Sequence, residues 1–132
     1  MYPFLHPDIV GDHDRLIART IAEHAAFEFE LSEVGWFGSN VVYLAPQPAQ
    51  PFLGLANAIT SVWPQCEPYD GRYEAFVPHL TLGVGDEDLQ PVAAAVEVLL
   101  PVVATANEVC LLEGRPEPSE WRVRQRLPLR TA

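Results

Sequence analysis

Segments with helical spacing and segments with strand-like alternation follow one another along the whole chain, and this order limits the fold more than any other feature. Apolar residues three or four positions apart indicate helices, whereas strict alternation indicates half-buried strands. The predicted helices span residues 12–25, 51–63 and 86–100. The predicted strands span residues 27–31, 40–46, 76–83, 107–113 and 120–127, with a turn at GWFGSN between the first two. We therefore expect an α+β fold.

The same order suggests two copies of one unit. From the segment around His79 onward the chain reads strand, helix, strand, strand, and the amino-terminal part reads helix, strand, strand. The first copy would then have a missing or incomplete opening strand. We expect a single domain over residues 1–132 with two lobes. The first lobe would contain about residues 1–46 and the end of the segment that leads to the His79 strand, and the second would contain residues 73–132. The helix at 51–63 would lie between them.

The length and composition are those of one globular domain. With 132 residues, of which 48% are hydrophobic, the chain can build a core, and disorder is not expected. No apolar run is long enough to cross a bilayer, and the amino terminus has no secretory signal pattern. Cys66 and Cys110 fit neither a metal knuckle nor a redox pair, so we expect two reduced, buried thiols in a cytoplasmic protein.

The charge is acidic and unevenly distributed. The formal net charge of −10 argues against a broad nucleic-acid-binding surface, because such a surface needs a basic patch. Five of the eight basic residues, all of them arginines, follow Gly114. A bound anion would therefore be small and local, or would lie near this carboxyl-terminal segment.

The stretch FVPHLTLG contains the candidate chemistry. Alternate side chains of a strand share a face, so His79 and Thr81 would lie side by side, with Gly83 leaving the end of their face open. Leu80 and Leu82 would be buried on the other face. Two polar residues on a solvated strand face are the plainer interpretation, which this short pattern alone favours.

Other polar and aromatic residues are weaker candidates. Arg122, Arg124 and Arg126 alternate with other residues, so we expect the three guanidinium groups to share one strand face as a phosphate or RNA-backbone rail. A solvated face that balances an acidic domain explains them equally well. Aromatic residues that could stack on a base, although they commonly pack in cores, are Tyr2, Phe4 and Tyr73.

Taken together, these features resemble the 2H phosphoesterases, the family of the bacterial 2′,5′-RNA ligases and 2′,3′-cyclic phosphodiesterases. PHLTLG matches the second of the two H-x-T/S-x motifs of that family. The run NVVYLAPQP…LGLANAIT…WP resembles the strand and helix before this motif, and EWRVRQRLPL resembles the closing strand. The resemblance spans essentially the whole chain. It implies a bilobal, pseudo-twofold fold with antiparallel sheet and helices in each lobe.

The first motif departs from the family pattern. In many relatives it reads approximately H-x-T-x-x-Y-P-F, and this chain begins MYPF, so Tyr2, Pro3 and Phe4 match the tail of that motif. The histidine and threonine of the motif would lie upstream of Met1. We expect either a chain that starts after part of its site or a natural remnant that has half of a site.

The resemblance also implies a reaction. His79 would be one of two histidines that act as acid and base at a ribose 2′ phosphodiester, and Thr81 would hold the phosphate. No metal or other cofactor is expected, and the substrate would be a small nucleotide or an RNA end. One histidine cannot be acid and base in the same step, so we expect weak or no catalysis from the chain as printed.

Two alternatives remain open. The chain could be a non-catalytic module that holds a nucleotide or an RNA end through His79, Thr81 and nearby arginines, or an assembly protein in which another subunit replaces the missing strand. An incomplete sheet has an edge of unpaired backbone groups, which can pair with another chain. We therefore expect either a homodimer through the amino-terminal lobe or marginal solubility, and no membrane partner.

Overall fold

The computed structural model describes residues 14–65, 75–115 and 120–131. Within these ranges the helices are α1 (Asp14–Ala22), α2 (Gln50–Val62) and α3 (Gln90–Glu97). The strands are β1 (Phe27–Phe37), β2 (Val41–Gln47), β3 (Leu80–Val84), β4 (Val102–Ala106), β5 (Glu108–Arg115) and β6 (Glu120–Pro128). The predicted mixture of helices and strands is confirmed. In the described part of the chain, no helix is both long and apolar enough to cross a membrane.

The described strands form two sheets. A four-stranded sheet has the order β3-β2-β1-β4, and β5 pairs with β6 in a second sheet. The pairs β1–β2, β2–β3 and β5–β6 are antiparallel. Backbone contacts divide the chain into unit 1, residues 1–27, 54–75 and 106–132, and unit 2, residues 28–53 and 76–105. The two predicted lobes, their pseudo-twofold relation and the incomplete opening strand stay predictions.

The hairpin between β1 and β2 is tighter than predicted. β1 continues to Phe37, so Gly35, Trp36 and Phe37 pair with β2 instead of forming a turn. The turn occupies residues 38–40, where Gly38 has a φ of +59°, in the left-handed region that glycine enters without steric cost. The longer strand is what brings Gly35 and Phe37 beside the candidate site.

The third helix is shorter than predicted, and a further strand follows it. The backbone N–H of Gln90 donates to Asp88 Oδ1 at 3.0 Å, so the acidic residues precede the helix instead of forming its first turn. The helix ends at Glu97, and Leu99, which lies within the range predicted for the helix, is 68% exposed. The β-branched run VVATA then forms β4, for which the predicted order has no counterpart.

Unit 1 has a hydrophobic core of its own. Ile17 and Ile21 lie four residues apart on one face of α1, and both are buried. The buried residues of this core are Ile17, Ile21, Leu55, Trp63, Leu127 and Leu129. The Ala26 N–H donates to the Arg130 carbonyl at 2.8 Å, and the Arg130 N–H donates to the His24 carbonyl at 2.8 Å. These bonds fix the segment after α1 to the end of β6.

In unit 2, alternate residues of β2 define a buried and a more open face of the sheet. Val42, Leu44 and Pro46 are buried, whereas the residues between them are half-buried. The predicted strand is therefore present, and its burial alternates with a period of two residues. Tyr43 lies on the more open face, and this is the face that carries the candidate site.

Candidate functional site

His79 and Thr81 lie on the same face of the four-stranded sheet. Thr81 is directly opposite Tyr43 in the β2–β3 pair, and directly opposite residues of an antiparallel pair project to the same side. His79 precedes the first residue of β3, and its ring contacts the ring of Tyr43, which places it on that side too. The two side chains have the relation that alternation predicts, whereas their catalytic roles stay a prediction.

A β-bulge at Leu82 changes the rest of the predicted pattern. Gly83 pairs with Val42, and the register skips Leu82, which is the extra residue of β3. Gly83 therefore lies on the buried face with Val42, where a Cβ atom would be 3.2 Å from Leu89 Cδ2. The prediction that Gly83 leaves an open end on the face of the candidate site is wrong.

The predicted burial of Leu80 is also wrong. Leu80 is opposite Leu44, so it lies on the predicted face, but it is 51% exposed. Among the described strands β3 is at the edge of its sheet, with a described neighbour on one side only. Leu82, at the bulge, is half-buried.

A backbone carbonyl and two aromatic rings hold the His79 imidazole. Its Nδ1 lies 2.7 Å from the carbonyl oxygen of Val77. Its ring centroid is 4.9 Å from that of Phe37 and 5.4 Å from that of Tyr43, at interplanar angles of 83° and 61°. Edge-to-face contacts of this kind stabilise by about 0.5–1.5 kcal/mol beyond their buried area. Three contacts within unit 2 therefore orient the ring.

The contact with Val77 fixes the tautomer of the neutral His79 ring. A carbonyl oxygen only accepts hydrogen bonds, so Nδ1 carries the hydrogen and Nε2 carries the free lone pair. Nε2 can accept a proton from a reacting group and, once protonated, can return one. The hydroxyl of Thr81, on the same face, can donate to an anionic oxygen. This pair is suited to proton transfer beside a phosphate.

Gly35 makes room for the Tyr43 ring. The two residues are opposite each other in the β1–β2 pair, and a Cβ atom at Gly35 would be 2.5 Å from Tyr43 Cε2 and 2.7 Å from its hydroxyl oxygen. Phe37, two residues along β1, stacks on the same ring with a centroid distance of 4.2 Å and an interplanar angle of 25°. The turn predicted at GWFGSN includes Gly35 and therefore misses its pairing with Tyr43. With the turn at residues 38–40, a glycine opposite an aromatic residue is the sequence signal for this contact.

Comparison with protein families identifies the group to which this site belongs. A model of the 2′-5′ RNA ligase superfamily matches residues 1–117. The chain belongs to the 2′-5′ RNA ligase superfamily. The predicted resemblance to the 2H phosphoesterases is thereby confirmed at the level of the superfamily, and the matched segment contains the PHLTLG motif. A comparison with curated proteins gives no match.

The arginines of β6 lie beyond the segment that the superfamily model matches, and they do not share one face. Arg122 is opposite Glu113, and Arg126 is opposite Cys110. Because residues 110 and 113 of β5 are three positions apart, they project to opposite sides of the hairpin. Arg124 is the extra residue at a bulge in β6, and it separates the other two arginines. The predicted common face for the three guanidinium groups is wrong for this reason.

Each of these arginines forms an ion pair with a carboxylate of unit 1, and those of Arg122 and Arg124 involve Glu113 and Asp14. Arg122 Nη2 lies 2.9 Å from Glu113 Oε2, the residue opposite it. Arg124 Nη2 lies 3.2 Å from Asp14 Oδ2, at the start of α1, and its Nη1 lies 3.8 Å from Glu113 Oε1. The two guanidinium groups balance acidic side chains of their own unit. This arrangement favours the plainer of the two interpretations of the arginine run.

Arg126 and Cys110 lie on the other side of the hairpin. Arg126 Nη1 donates to Glu108 and lies 3.6 Å from Cys110 Sγ. The hydrogen bond to Glu108, and then the charge of that carboxylate, raises the pKa of Arg126 above its ordinary value. Cys110 is exposed, so the prediction that this thiol is buried is wrong. It faces away from Val109 and Leu111, which pack on the core of unit 1.

The remaining predicted site residues lie outside the described residues. These residues are Tyr2, Phe4 and Tyr73, and Cys66 also lies outside the described residues. The predicted stacking of Tyr2, Phe4 or Tyr73 on a base stays a prediction.

Proposed function

We propose that this member of the 2′-5′ RNA ligase superfamily is a 2H-type phosphoesterase that cleaves or forms a phosphodiester at a ribose 2′ position. His79 is the acid–base group, and Thr81 binds the phosphate. The observation that supports this proposal most is the shared face of the two residues, with Nδ1 of His79 bonded to Val77. Both residues are accessible to a ligand, since His79 is half-buried and Thr81 is exposed.

His79 Nε2, which the contact with Val77 leaves free, can act as the base or as the acid of hydrolysis. When water attacks the phosphorus of a 2′,3′-cyclic phosphate, the bond to one ribose oxygen breaks and that oxygen takes up a proton. Neutral Nε2 can remove the proton of the attacking water, and protonated Nε2 can supply the proton of the leaving oxygen. Formation of the bond is the reverse of these steps.

Thr81 supplies the anion contact in this proposal. A hydroxyl that donates to a non-bridging phosphate oxygen makes a charge-assisted hydrogen bond, which is stronger than a neutral one. Such a bond strengthens further as negative charge builds up on the phosphate oxygens in the transition state. Its position directly opposite Tyr43 keeps this hydroxyl on the face of the His79 ring.

A second acid–base group is needed, because one imidazole cannot be acid and base in the same step. In the 2H resemblance this group belongs to the first motif, whose tail is matched by Tyr2, Pro3 and Phe4. We expect slow turnover of a cyclic nucleotide wherever this group is not supplied. A segment His-x-Thr-x-x placed before Tyr2 should then raise the rate.

The test is turnover of a 2′,3′-cyclic nucleotide by the chain as printed and by the form extended with His-x-Thr-x-x. In the extended form, we expect His79→Gln to lower kcat by about 10²–10⁴-fold, the usual contribution of a positioned acid or base. His24→Gln is the matched control, because His24 is the other histidine among the described residues and lies in unit 1. This control should keep the activity of the extended form.

Three results would count against parts of the proposal. Full activity of the His79→Gln variant would overturn the role of His79. Equal rates for the printed and extended forms would show that the upstream segment is not needed. Binding of the nucleotide by both forms without any turnover would favour the non-catalytic alternative.

A further inference from the structure

We infer that Gly35 is a positioning residue, which holds His79 in the tautomer with a free Nε2 by leaving space for the Tyr43 ring. The consequence for catalysis rests on the proposed function. The effect on the tautomer does not, because it is a property of the chain at rest. Gly35 touches neither reacting group, so it acts only through the aromatic rings beside it.

The first step of this inference is steric. A side chain at Gly35 and the Tyr43 ring in its present place exclude each other, because the Cβ atom would be 2.5 Å from Tyr43 Cε2. Cβ atoms essentially never come within 3.0 Å of a heavy atom outside their own residue and its two chain neighbours. The clash involves the hydroxyl-bearing end of a ring that Phe37 stacks against. The Tyr43 ring would therefore have to leave its place.

The second step connects the aromatic pair to His79. Its ring meets both Phe37 and Tyr43 edge to face, and both contacts depend on the stack between those two rings. When the Tyr43 ring moves, His79 loses its contact with that ring, and Phe37 loses the ring on which it stacks. The imidazole is then free to turn about its side-chain bonds.

The third step connects ring orientation to the tautomer. The acceptor for Nδ1 is the carbonyl of Val77, two residues earlier in the same strand-like segment. This bond exists only while the imidazole points back along its own chain. A ring that turns into water returns to the Nε2–H tautomer that free histidine favours, and Nε2 then has no lone pair to accept a proton.

Ring nitrogen spectroscopy of the 15N-labelled chain as printed tests this inference, at a pH at which the imidazole is neutral. Long-range 1H–15N correlations distinguish the two tautomers, and His79→Gln identifies the signals of His79. We expect the Nδ1–H pattern in the unchanged chain and a shift toward the Nε2–H pattern in Gly35→Ala. Gly54→Ala is the matched control, because a Cβ atom at Gly54 would meet nothing within 4 Å. It should keep the pattern of the unchanged chain.

A second variant covers the case in which Gly35→Ala does not fold. Phe37→Leu removes the ring that stacks on Tyr43 and adds no atom near the β1 backbone, and it should move the tautomer in the same direction. An Nε2–H pattern in the unchanged chain would overturn the inference. A native pattern in folded Gly35→Ala, or in Phe37→Leu if Gly35→Ala does not fold, would also overturn it.

Kinetics of the extended form separate this inference from the proposed function. We expect Gly35→Ala to lower kcat by about 10²-fold with little change in KM, as displaced catalytic groups do. A changed tautomer with an unchanged kcat would show that Gly35 does not act in catalysis. If no form of the protein turns over a cyclic nucleotide, the proposed function fails, and the tautomer measurement still decides the positioning.

Discussion

The β2–β3 and β5–β6 strand pairs each contain one bulge, and the position of the bulge determines which side chains each pair presents together. In β3 the extra residue is Leu82, after both residues of the candidate site, so those residues keep a common face. In β6 the extra residue is Arg124, in the middle of the arginine run, so Arg122 and Arg126 point to opposite sides. A bulge therefore leaves His79 and Thr81 on one face in β3, whereas a bulge in β6 separates the arginines that were predicted to share a face.

The difference shows how far an alternating pattern can be extrapolated along a strand. Each extra residue reverses the faces of everything beyond it. His79 and Thr81 are separated by a single residue, and the bulge follows them. The arginine run covers five residues of β6, and it carries the bulge within it. A short polar pair is therefore a safer prediction than a long stripe.

The largest expected difference between the two pairs concerns one glycine in each. A Cβ atom at Gly114 would overlap the Glu120 carbonyl and lie 2.8 Å from Trp121 Cα, so the backbone of the β5–β6 pair would have to shift. At Gly83 its closest contact would be with the movable end of Leu89, at 3.2 Å, and the next with Val42 Cγ1, at 3.5 Å. We expect Gly114→Ala to lower the free energy of unfolding by about 3 kcal/mol.

Gly83→Ala is the comparison for this measurement. Its crowding against Leu89 is offset by the smaller loss of backbone entropy, so the free energy of unfolding should change by less than about 1 kcal/mol. Urea denaturation of both variants measures the two values. Equal losses would show that the β2–β3 pair is packed as tightly at its glycine as the β5–β6 pair.

The elements of the fold could be predicted because apolar spacing reports them directly. The four-residue spacing of Ile17 and Ile21 indicates the inward face of α1, and both residues are buried. This signal depends on burial alone, which sequence reports well. The PHLTLG motif has only two fixed positions, its histidine and its threonine. Together with the order of strands and helices around it, the motif predicted the superfamily correctly.

The remaining features depend on contacts between strands, which a single sequence does not report. Nothing beside Arg124 in the sequence indicates a bulge, and beside Leu82 the only such signal is Gly83. The exposure of Leu80 accords with the place of β3 at the edge of the sheet that the described strands form. The role of Gly35 follows from its register with Tyr43, which required the correct turn. Register and strand order are therefore what the structure adds.

A smaller effect is expected from removing the hydroxyl of the candidate site without changing its shape. Thr81→Val keeps the β-branched form that suits a strand, so the free energy of unfolding should change by no more than about 0.5 kcal/mol. A hydrogen bond to a charged group contributes about 1.5–3 kcal/mol, so affinity for a ribose 2′-phosphate mononucleotide should fall by roughly 10–100-fold.

Thr105→Val is the matched control for this change. Thr105 is exposed on β4, the strand at the other edge of the same sheet. Calorimetric titration of both variants with the mononucleotide measures the two affinities. Equal affinities for Thr81→Val and Thr105→Val would remove Thr81 from the phosphate site and leave the shared face without a binding role.

The smallest expected effects separate the arginines of β6 from one another. The Arg124 side chain is 27% exposed and meets two carboxylates, whereas the Arg122 side chain is 79% exposed and meets one. Exposed ion pairs contribute about 0.2–1 kcal/mol, so Arg124→Gln should lie near the upper end of this range and Arg122→Gln near the lower end. Added salt should reduce both losses, because it screens exposed charges. Denaturation at low and high salt measures the two losses of stability.

The contradicting outcome concerns affinity for the mononucleotide. If the arginines bind phosphate together, the two variants would lower that affinity by equal factors and leave stability unchanged. That result would restore the arginine run as a binding surface.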